Sequence, residues 1–428
     1  MSASATADQH RPAPDLPLAQ WWSVQLDGQV SAGPASGGSR IYIALASGQL
    51  TARDAADGKE LWRQARNVTA AMAADGDLLF VASGDAIEAI RGDTGKAAWT
   101  LPRTTPVAPL LASAGWLIAT TDTQVLAIRA ATGEVAWRQA AGGVKLAPAL
   151  DGDRVFTGAE DGRVVAMSLK DGSVEWQQFI PQGVTAIAAH RGRVYVGGGD
   201  KMLHCLDAAK KGDEKWGYSL GAQALGNVAV DDDRVYAAAL NNVIRALDRQ
   251  SGNQRWLQSL KQRAASGVYL SGHVVFVPNA SPDLAMLYAR DGALSGSLNL
   301  PGDQPPGLTP SVVGSKEGTV VYVVTGGLTN EWHLTKFARA GEAGLIALAK
   351  LDAMPGVPYL TDPVLMPIGN VLKTLLLDDP RLMPFAEVDW PIVLRDPPLV
   401  PLTALPGVQL RPLSPTLPVR RGARGPGG

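Results

Sequence analysis

Tryptophan recurs through the first 260 residues of the chain at a nearly constant spacing. The steps between successive members of the series are 40, 37, 38, 39, 40 and 40 residues. A glycine stands four positions before each of them except the first. A period of about forty residues indicates a small supersecondary unit that repeats. The tryptophans are Trp22, Trp62, Trp99, Trp137, Trp176, Trp216 and Trp256, and the glycines are Gly58, Gly95, Gly133, Gly172, Gly212, Gly252 and Gly292, the last of which leads to Gly296 instead of tryptophan.

Between two tryptophans, apolar and polar residues alternate and a turn signal appears about every ten positions. In the copy 144–180, Asp-Gly pairs mark the turns, and glycine there supplies the positive φ of a tight hairpin. Four short strands in forty residues are typical of one blade of a β-propeller. The strands predicted in this copy are Val144–Leu150, Arg154–Gly158, Arg163–Leu169 and Ser173–Phe179.

Eight such units fit between residues 18 and 353, after a flexible N-terminal segment 1–17. The sequence therefore predicts an all-β fold, an eight-bladed β-propeller of four-stranded antiparallel blades. Seven blades end near Trp62, Trp99, Trp137, Trp176, Trp216, Trp256 and Gly296. Strands of the eighth are predicted near Leu308–Val313, Thr319–Val324 and Trp332–Ala338.

The outer strand of the eighth blade has two candidate sources. The N-terminal segment Leu18–Leu26, which contains Trp22, would pair the first and last parts of the chain and remove an exposed sheet edge. The local segment Gly344–Leu351 repeats the spacing of the glycine and the tryptophan. We favour closure by the N-terminal segment.

The repeated tryptophans are interpreted as structural. A blade is a small twisted sheet that cannot bury both of its faces alone. An indole on its outermost strand fills the gap against a neighbouring blade and buries about 150–250 Å². We therefore expect joints between blades at these positions and no aromatic ligand site.

The repeat also carries a family resemblance. Residues Ala52–Trp62 read Ala-x-Asp-x-x-Asp-Gly-x-x-x-Trp, and variants recur in the following copies. This pattern resembles the tryptophan-docking repeat of the pyrroloquinoline-quinone (PQQ)-like, quinoprotein-type eight-bladed propellers. Enzymes of that family bind PQQ and calcium on the propeller axis, whereas its BamB-like branch is non-enzymatic and serves as a docking platform.

Departures from the enzymes favour the non-enzymatic branch. Many of the enzymes carry a vicinal cysteine pair, and this chain has one cysteine, Cys205. No position matches their calcium ligands or catalytic aspartate, so we predict no catalytic residue, metal or cofactor. The expected function is a scaffold or assembly subunit that binds other proteins through its ring-face loops and C-terminal segment. The alternative is a PQQ- and calcium-dependent oxidoreductase, or a small-ligand binder on the axis.

The aspartate, histidine and cysteine residues that could take part in catalysis or metal binding have simple structural interpretations. Asp75, Asp151 and Asp231 fall in equivalent first turns, where a short carboxylate caps the backbone. Neighbours in a strand point to opposite faces, so His204 and Cys205 are not expected to bind one ion together. Cys205 takes the alanine position of the repeat, which predicts a small buried thiol.

Charge and hydropathy limit which partners and which cellular compartment are expected. Lys and Arg number 39 and Asp and Glu 40, which argues against a general nucleic-acid binder. No apolar run approaches the roughly 18 residues of a membrane-spanning helix. The first twenty residues lack the apolar core of a secretory signal, which predicts a cytoplasmic protein, with a periplasmic or envelope-associated location as the alternative.

The composition changes after residue 353. Residues 354–428 contain 15 of the 30 prolines, so we predict an irregular, extended C-terminal segment. It keeps many apolar side chains, which need a cover. Another protein is the favoured cover, while the chain's own propeller, a second copy and simple disorder remain alternatives. Candidate partner-binding residues are Tyr359, Leu376, Phe385 and Trp390.

Overall fold

The computed structural model describes residues 18–69, 72–264, 266–279, 283–300, 311–315, 318–326 and 331–339. The chain divides into two units, Met1–Ala343 and Gly344–Gly428, and every described residue belongs to the first. The described residues form 32 β-strands and no helix. The predicted segments 1–17 and 354–428 lie outside them, together with the candidate residues Tyr359, Leu376, Phe385 and Trp390.

The first half of the fold consists of strand β1 and blades 1 to 4. Strand β1 is Leu18–Leu26. The strands of blades 1 and 2 are β2 (Val30–Gly37), β3 (Arg40–Leu45), β4 (Gln49–Asp54), β5 (Glu60–Ala65), β6 (Ala73–Asp75), β7 (Leu78–Ser83), β8 (Ala86–Arg91) and β9 (Ala97–Leu101). Those of blades 3 and 4 are β10 (Leu111–Ser113), β11 (Trp116–Thr120), β12 (Gln124–Arg129), β13 (Val135–Ala140), β14 (Ala149–Asp151), β15 (Arg154–Gly158), β16 (Arg163–Ser168) and β17 (Val174–Phe179).

The second half consists of blades 5 to 8. The strands of blades 5 and 6 are β18 (Val184–His190), β19 (Arg193–Gly198), β20 (Met202–Asp207), β21 (Glu214–Ser219), β22 (Ala229–Val230), β23 (Arg234–Ala238), β24 (Val243–Asp248) and β25 (Gln254–Ser259). Those of blades 7 and 8 are β26 (Tyr269–Ser271), β27 (Val274–Val277), β28 (Asp283–Tyr288), β29 (Leu294–Asn299), β30 (Ser311–Ser315), β31 (Gly318–Thr325) and β32 (Trp332–Arg339).

These strands form eight four-stranded antiparallel sheets, which confirms the predicted eight-bladed propeller. Blades 1 to 7 each use four consecutive strands, whereas blade 8 has the order β1-β32-β31-β30. Its outer strand is the N-terminal one, paired from Leu18↔Arg339 to Leu26↔Trp332. The favoured closure is therefore the one observed. The alternative segment, 344–351, lies outside the described residues.

The innermost strand of blade 4 is shorter than the sequence pattern indicates. The strand predicted at Val144–Leu150 is wrong in extent, because β14 begins only at Ala149. Pro148 precedes it and has no N–H for the ladder, while Gly143 adopts φ +72°. Residues 144–148 therefore belong to the connection between blades 3 and 4.

The apolar core lies between the blades and is divided into eight layers. Each layer joins the facing sides of two adjacent blades. The layer between blades 8 and 1 includes Leu26, Val30, Ile41, Trp332 and Leu334, all buried. Closure by β1 thus completes a ring of contacts in which no blade is left with an uncovered face.

Antiparallel pairing gives the ring two different faces. Within each blade, the turns from first to second strand and from third to fourth strand lie at the same end. The hairpins from second to third strand and the links to the next blade lie at the other end, which we call the connection face. Leu18 pairs with Arg339 at the end of blade 8 opposite the connection face.

Candidate functional sites at the blade junctions

The repeated tryptophans join each blade to the following one. The indole Nε1–H of Trp137, for example, leaves β13 and donates to the Leu169 carbonyl of blade 4 at 2.8 Å. The other donor–acceptor distances are 3.4 Å for Trp22 to Ala55, 2.7 Å for Trp62 to Gly92, 2.8 Å for Trp99 to Ala130, 2.8 Å for Trp176 to Ala208, 3.2 Å for Trp216 to Arg249 and 2.9 Å for Trp256 to Ala289. The geometry is that of a joint, and these indoles are not free to hold a ligand.

The repeated glycines meet the tryptophan of the preceding blade, not the one four residues later. Gly172 has φ +75°, and a Cβ placed there would lie 2.6 Å from the Trp137 ring. Glycine is therefore required for two reasons: the positive φ of its backbone, and the indole ring that packs where a Cβ would lie. The seven glycines have φ between 68° and 76°, and a Cβ on each would approach an indole to between 2.4 and 2.9 Å: Gly58, Gly95, Gly133, Gly172, Gly212, Gly252 and Gly292.

Blade 7 solves the same packing problem without tryptophan. In blade 1, Ala52 pairs with Trp62, whereas in blade 7 Met286 pairs with Gly296. Met286 is buried at the position where the repeat has alanine. The larger side chain has moved from the outer strand to the third strand, which keeps this layer of the core filled.

The turn carboxylates connect neighbouring blades. Asp75 of blade 2 accepts a hydrogen bond from the Gly115 backbone N–H of blade 3 at 3.0 Å. Asp151 accepts from Arg191 and Gly192 of blade 5 at 3.0 and 2.6 Å. These carboxylates are already engaged by backbone donors and are not arranged as an acid–base pair.

His204 lies between two carboxylates that the sequence analysis did not connect with it. Its Nδ1 is 3.0 Å from Glu214 Oε1, and its Nε2 is 3.1 Å from Asp200 Oδ2. Gly217 and Gly198 make room, because a Cβ there would lie 2.7 Å from Glu214 and 2.2 Å from Asp200. The Gly-rich stretch 197–199 is the signal of this close approach in the sequence.

Cys205 is fully buried beside Tyr195 and Trp216. Burial raises the pKa of its thiol to about 12. Since the thiolate is the reactive form, we expect no reaction with a thiol reagent in the native protein at pH 8. Titration with Ellman's reagent should detect one thiol only after unfolding in guanidinium, and rapid labelling of the native chain would contradict this placement.

Two further observations concern metal and membrane. Among the described residues, no three or more His, Cys, Asp or Glu side chains are grouped so as to hold a metal ion. Across the same part of the chain, no helix has the length and apolar character needed to cross a bilayer.

One position of the repeat carries different residue types in different blades, and these residues change the contacts between neighbouring blades. It is the residue before the alanine position on the third strand, on the sheet face directed at the preceding blade. Its occupants in blades 1 to 8 are Thr51, Glu88, Leu126, Val165, His204, Arg245, Ala285 and Thr335. Glu88 forms an ion pair with Arg66 of the preceding link, and His204 binds the two carboxylates described above.

The junction of blades 3 and 4 contains an open cleft at this position. Val165 is small, and a cavity of about 130 Å³ lies between it and the outer strand of blade 3. Met167 and Val174 contribute apolar walls, while Gln139 and Gln177 supply amides. A cavity of roughly 150 Å³ can hold benzene, so this cleft has room for one apolar side chain. We call it the blade 3–4 cleft.

The rim of the blade 3–4 cleft exposes apolar groups. Val174 is 47% exposed and Phe179 is 65% exposed, and both lie on the outer strand β17. The Phe179 ring covers Gly162, where a Cβ would approach it to 3.0 Å. Arg163 and Thr157 also line the cleft, so its walls are mixed, and exposed apolar side chains on the same outer strand are typical of a protein-binding surface.

The fold and these junctions define the chain as an eight-bladed propeller of tryptophan-docked blades with a cleft suited to a protein side chain. A family model described as outer membrane protein assembly factor BamB matches residues 19–117, 111–187 and 180–349. The chain belongs to this family. Membership supports the predicted non-catalytic scaffold over the quinoprotein oxidoreductase.

Individual relatives agree with this assignment. The chain is 25% identical over 318 residues to the outer membrane protein assembly factor BamB of Bordetella pertussis (strain Tohama I), covering 71% of this chain and 75% of that protein. It is 28% identical over 315 residues to BamB of Burkholderia pseudomallei (strain K96243), covering 68% and 82%. The crystal structure of BamB from Moraxella catarrhalis shares the fold, with a TM-score of 0.61 at 17% identity, covering 75% of this chain and 100% of that one. These relatives give no support to the cytoplasmic expectation.

Proposed function

We propose that the chain is a non-catalytic scaffold in outer membrane protein assembly and works at the cell envelope. The family assignment supports the process, and the names of the two curated relatives refer to it. The proposal replaces the expected cytoplasmic location with the envelope-associated alternative. A protein partner follows from the same family assignment.

The observation that carries a docking role is the blade 3–4 cleft. In blades 2 and 5, the equivalent position is filled by Glu88 and His204, which have partners of their own. At this junction, Val165 leaves space that opens beside the exposed Val174 and Phe179. An apolar side chain of a partner entering the cleft would bury these groups and gain about 25 cal/mol for each Å² removed from water.

The test compares two substitutions that are matched in exposure and that both lie on the outer strand of a blade. Val174 and Leu61 are 47% and 48% exposed on the outer strands of blades 4 and 1. In the native host with its own gene deleted, we expect the wild-type and Leu61→Arg proteins to restore outer membrane protein levels. Val174→Arg should fail, because a charge at the rim opposes entry of an apolar group.

Val165→Arg provides a second, independent obstruction of the cleft. The ring already accommodates arginine at this position in blade 6, as Arg245. We therefore expect the variant to fold with an unchanged melting temperature and to lose complementation. Complementation by both cleft variants at the wild-type level would remove the cleft from the proposal. Unchanged outer membrane protein levels in the deletion strain would contradict the proposed function itself.

The C-terminal segment 354–428 is proposed as a second binding element, through Tyr359, Leu376, Phe385 and Trp390. Its support is compositional, since apolar side chains and proline-rich chain are combined in one segment. Co-purification from the envelope with and without residues 354–428 tests it. Loss of the same partners as in Val174→Arg would join the two elements in one interface, and an unchanged partner set would contradict a binding role of the segment.

A further inference from the structure

Arg245 is the one charged residue at the variable third-strand position that has no partner among the described residues. It lies on β24, paired with Ala237 and Leu257 and on the sheet face opposite Ala246 and Trp256. This face is directed at blade 5. Its Nε and Nη1 are shielded from solvent, and neither makes a hydrogen bond.

The other charged occupants of this position show what is missing. The Glu88 carboxylate meets the Arg66 guanidinium, and the two nitrogens of His204 meet Asp200 and Glu214. In both junctions, the chain supplies a hydrogen-bonding partner to the side chain at this position. At the junction of blades 5 and 6, the described residues supply no carboxylate to Arg245.

Guanidinium N–H groups that are shielded from water and lack acceptors lower the stability of the fold, and a bound ligand that accepts from them would raise it. Buried N–H groups without acceptors carry a desolvation penalty, and the planar guanidinium fits a carboxylate through two parallel hydrogen bonds. Replacement of such a charge by an apolar residue of similar volume is often neutral or stabilising. An arginine without an acceptor at this position therefore points to a binding site.

Two exposed leucines lie on the same blade as Arg245. Leu257, its direct cross-strand neighbour, is 44% exposed, and Leu240 in the hairpin between the second and third strands of blade 6 is 41% exposed. Tyr218 of blade 5 donates its hydroxyl to Gln254 of blade 6 at 2.7 Å and so bridges the same junction. A ligand for this place combines one carboxylate with apolar neighbours.

We propose that Arg245 binds the carboxylate of an acidic side chain in a protein segment whose flanking apolar residues rest on Leu240 and Leu257. Charge complementarity selects this occupant, because guanidinium donors without an acceptor need an anion and the leucines need an apolar cover. This site lies at the junction of blades 5 and 6 and does not depend on the blade 3–4 cleft.

The first experiment uses blocked tripeptides, N-acetyl-Leu-Asp-Leu-amide and its Leu-Asn-Leu counterpart, as probes of the full-length protein. The Nε–H resonance of Arg245 is identified in a ¹⁵N-resolved NMR spectrum by its absence in Arg245→Met. We expect it to shift on titration with the aspartyl peptide. The asparaginyl peptide, which has the same shape without the charge, should bind at least tenfold more weakly.

The variants separate this site from the proposed function. Arg245→Met should keep or raise the melting temperature and lose the preference for aspartate. Val165→Arg, which blocks the other cleft, should bind the aspartyl peptide as wild type does. Equal shifts with both peptides, no shift with either at millimolar concentration, or an equal shift with acetate alone would each overturn recognition of an acidic protein segment. None of these results bears on complementation by the cleft variants.

Discussion

Deletion of residues 1–26 is expected to abolish the folded ring, whereas deletion of residues 1–17 leaves it intact. The first deletion removes β1 and uncovers the edge of β32 along its whole length. It also removes Leu18 and Leu26, which are buried in the layers on either side of blade 8. Domains of this kind are stable by only about 5–15 kcal/mol, so loss of a complete strand and its two layers should exceed the margin.

Side chains make the closing strand specific. The Trp22 ring packs on Gly58 of blade 1, and its Nε1 shares the Ala55 carbonyl with the Lys336 ammonium, which donates to it at 2.9 Å. Lys336 also lies 4.3 Å from the centre of the Trp21 ring. Loss of β1 would remove the Trp21 ring beside this cation and the Trp22 indole that docks on blade 1.

Size-exclusion chromatography and thermal unfolding followed by circular dichroism provide the measurement. Deletion of residues 1–17 should give a monomer that melts as the full chain does. Deletion of residues 1–26 should give aggregate or a species without a cooperative transition. A soluble monomer with an unchanged melting temperature in the second case would contradict closure by β1.

Gly172→Ala is expected to cost about 2–5 kcal/mol of unfolding free energy, compared with about 1–2 kcal/mol for Gly152→Ala. Both glycines have positive φ, 75° and 60°. A Cβ at position 152 meets nothing within 4 Å, whereas one at 172 would lie 2.6 Å from Trp137. The pair therefore shares the backbone strain and differs in the indole joint alone.

Urea unfolding at pH 7 measures both variants. The excess cost of Gly172→Ala over Gly152→Ala reports how rigidly the indole is held by its hydrogen bond to Leu169. We expect an excess of about 1–3 kcal/mol from overpacking. Equal destabilisation by the two substitutions would show that the joint gives way without cost and that the repeated glycine is needed for its backbone alone.

The sequence predicts the architecture because each repeated residue type has a physical role in the blade. Tryptophan and glycine recur since seven of the eight junctions join one indole to one glycine, so the period predicts the blades, and the strand pattern of the last two copies completes their number. Alternation and Asp-Gly turns place strands such as Arg154–Gly158, which the structure reproduces. Closure by Leu18–Leu26 follows from the need to cover an edge.

The functional features depend on differences between copies, which a period does not predict. Val165 and Arg245 occupy the same variable position in two different blades. Only the strand register shows that Val165 leaves a cleft and that Arg245 leaves an unpaired charge. The exchange of Ala52 and Trp62 for Met286 and Gly296 becomes visible only when cross-strand partners are known. The carboxylates of Asp200 and Glu214 reach His204 from separate turns of the chain.

A disulfide between β1 and β32 tests the closed ring most directly. Ser23 and Thr335 are cross-strand partners whose hydroxyl oxygens lie 2.8 Å apart, although 312 residues separate them in the chain. In a Cys205→Ala background, the Ser23→Cys, Thr335→Cys variant should oxidise to an intramolecular disulfide and gain roughly 5 kcal/mol of stability, as loop-closure entropy predicts. The Val24→Cys, Thr335→Cys control, whose side chains start on opposite faces, should remain reduced. Failure of the first pair to form the bond in the folded monomer would contradict an eight-bladed ring closed by its N-terminal strand.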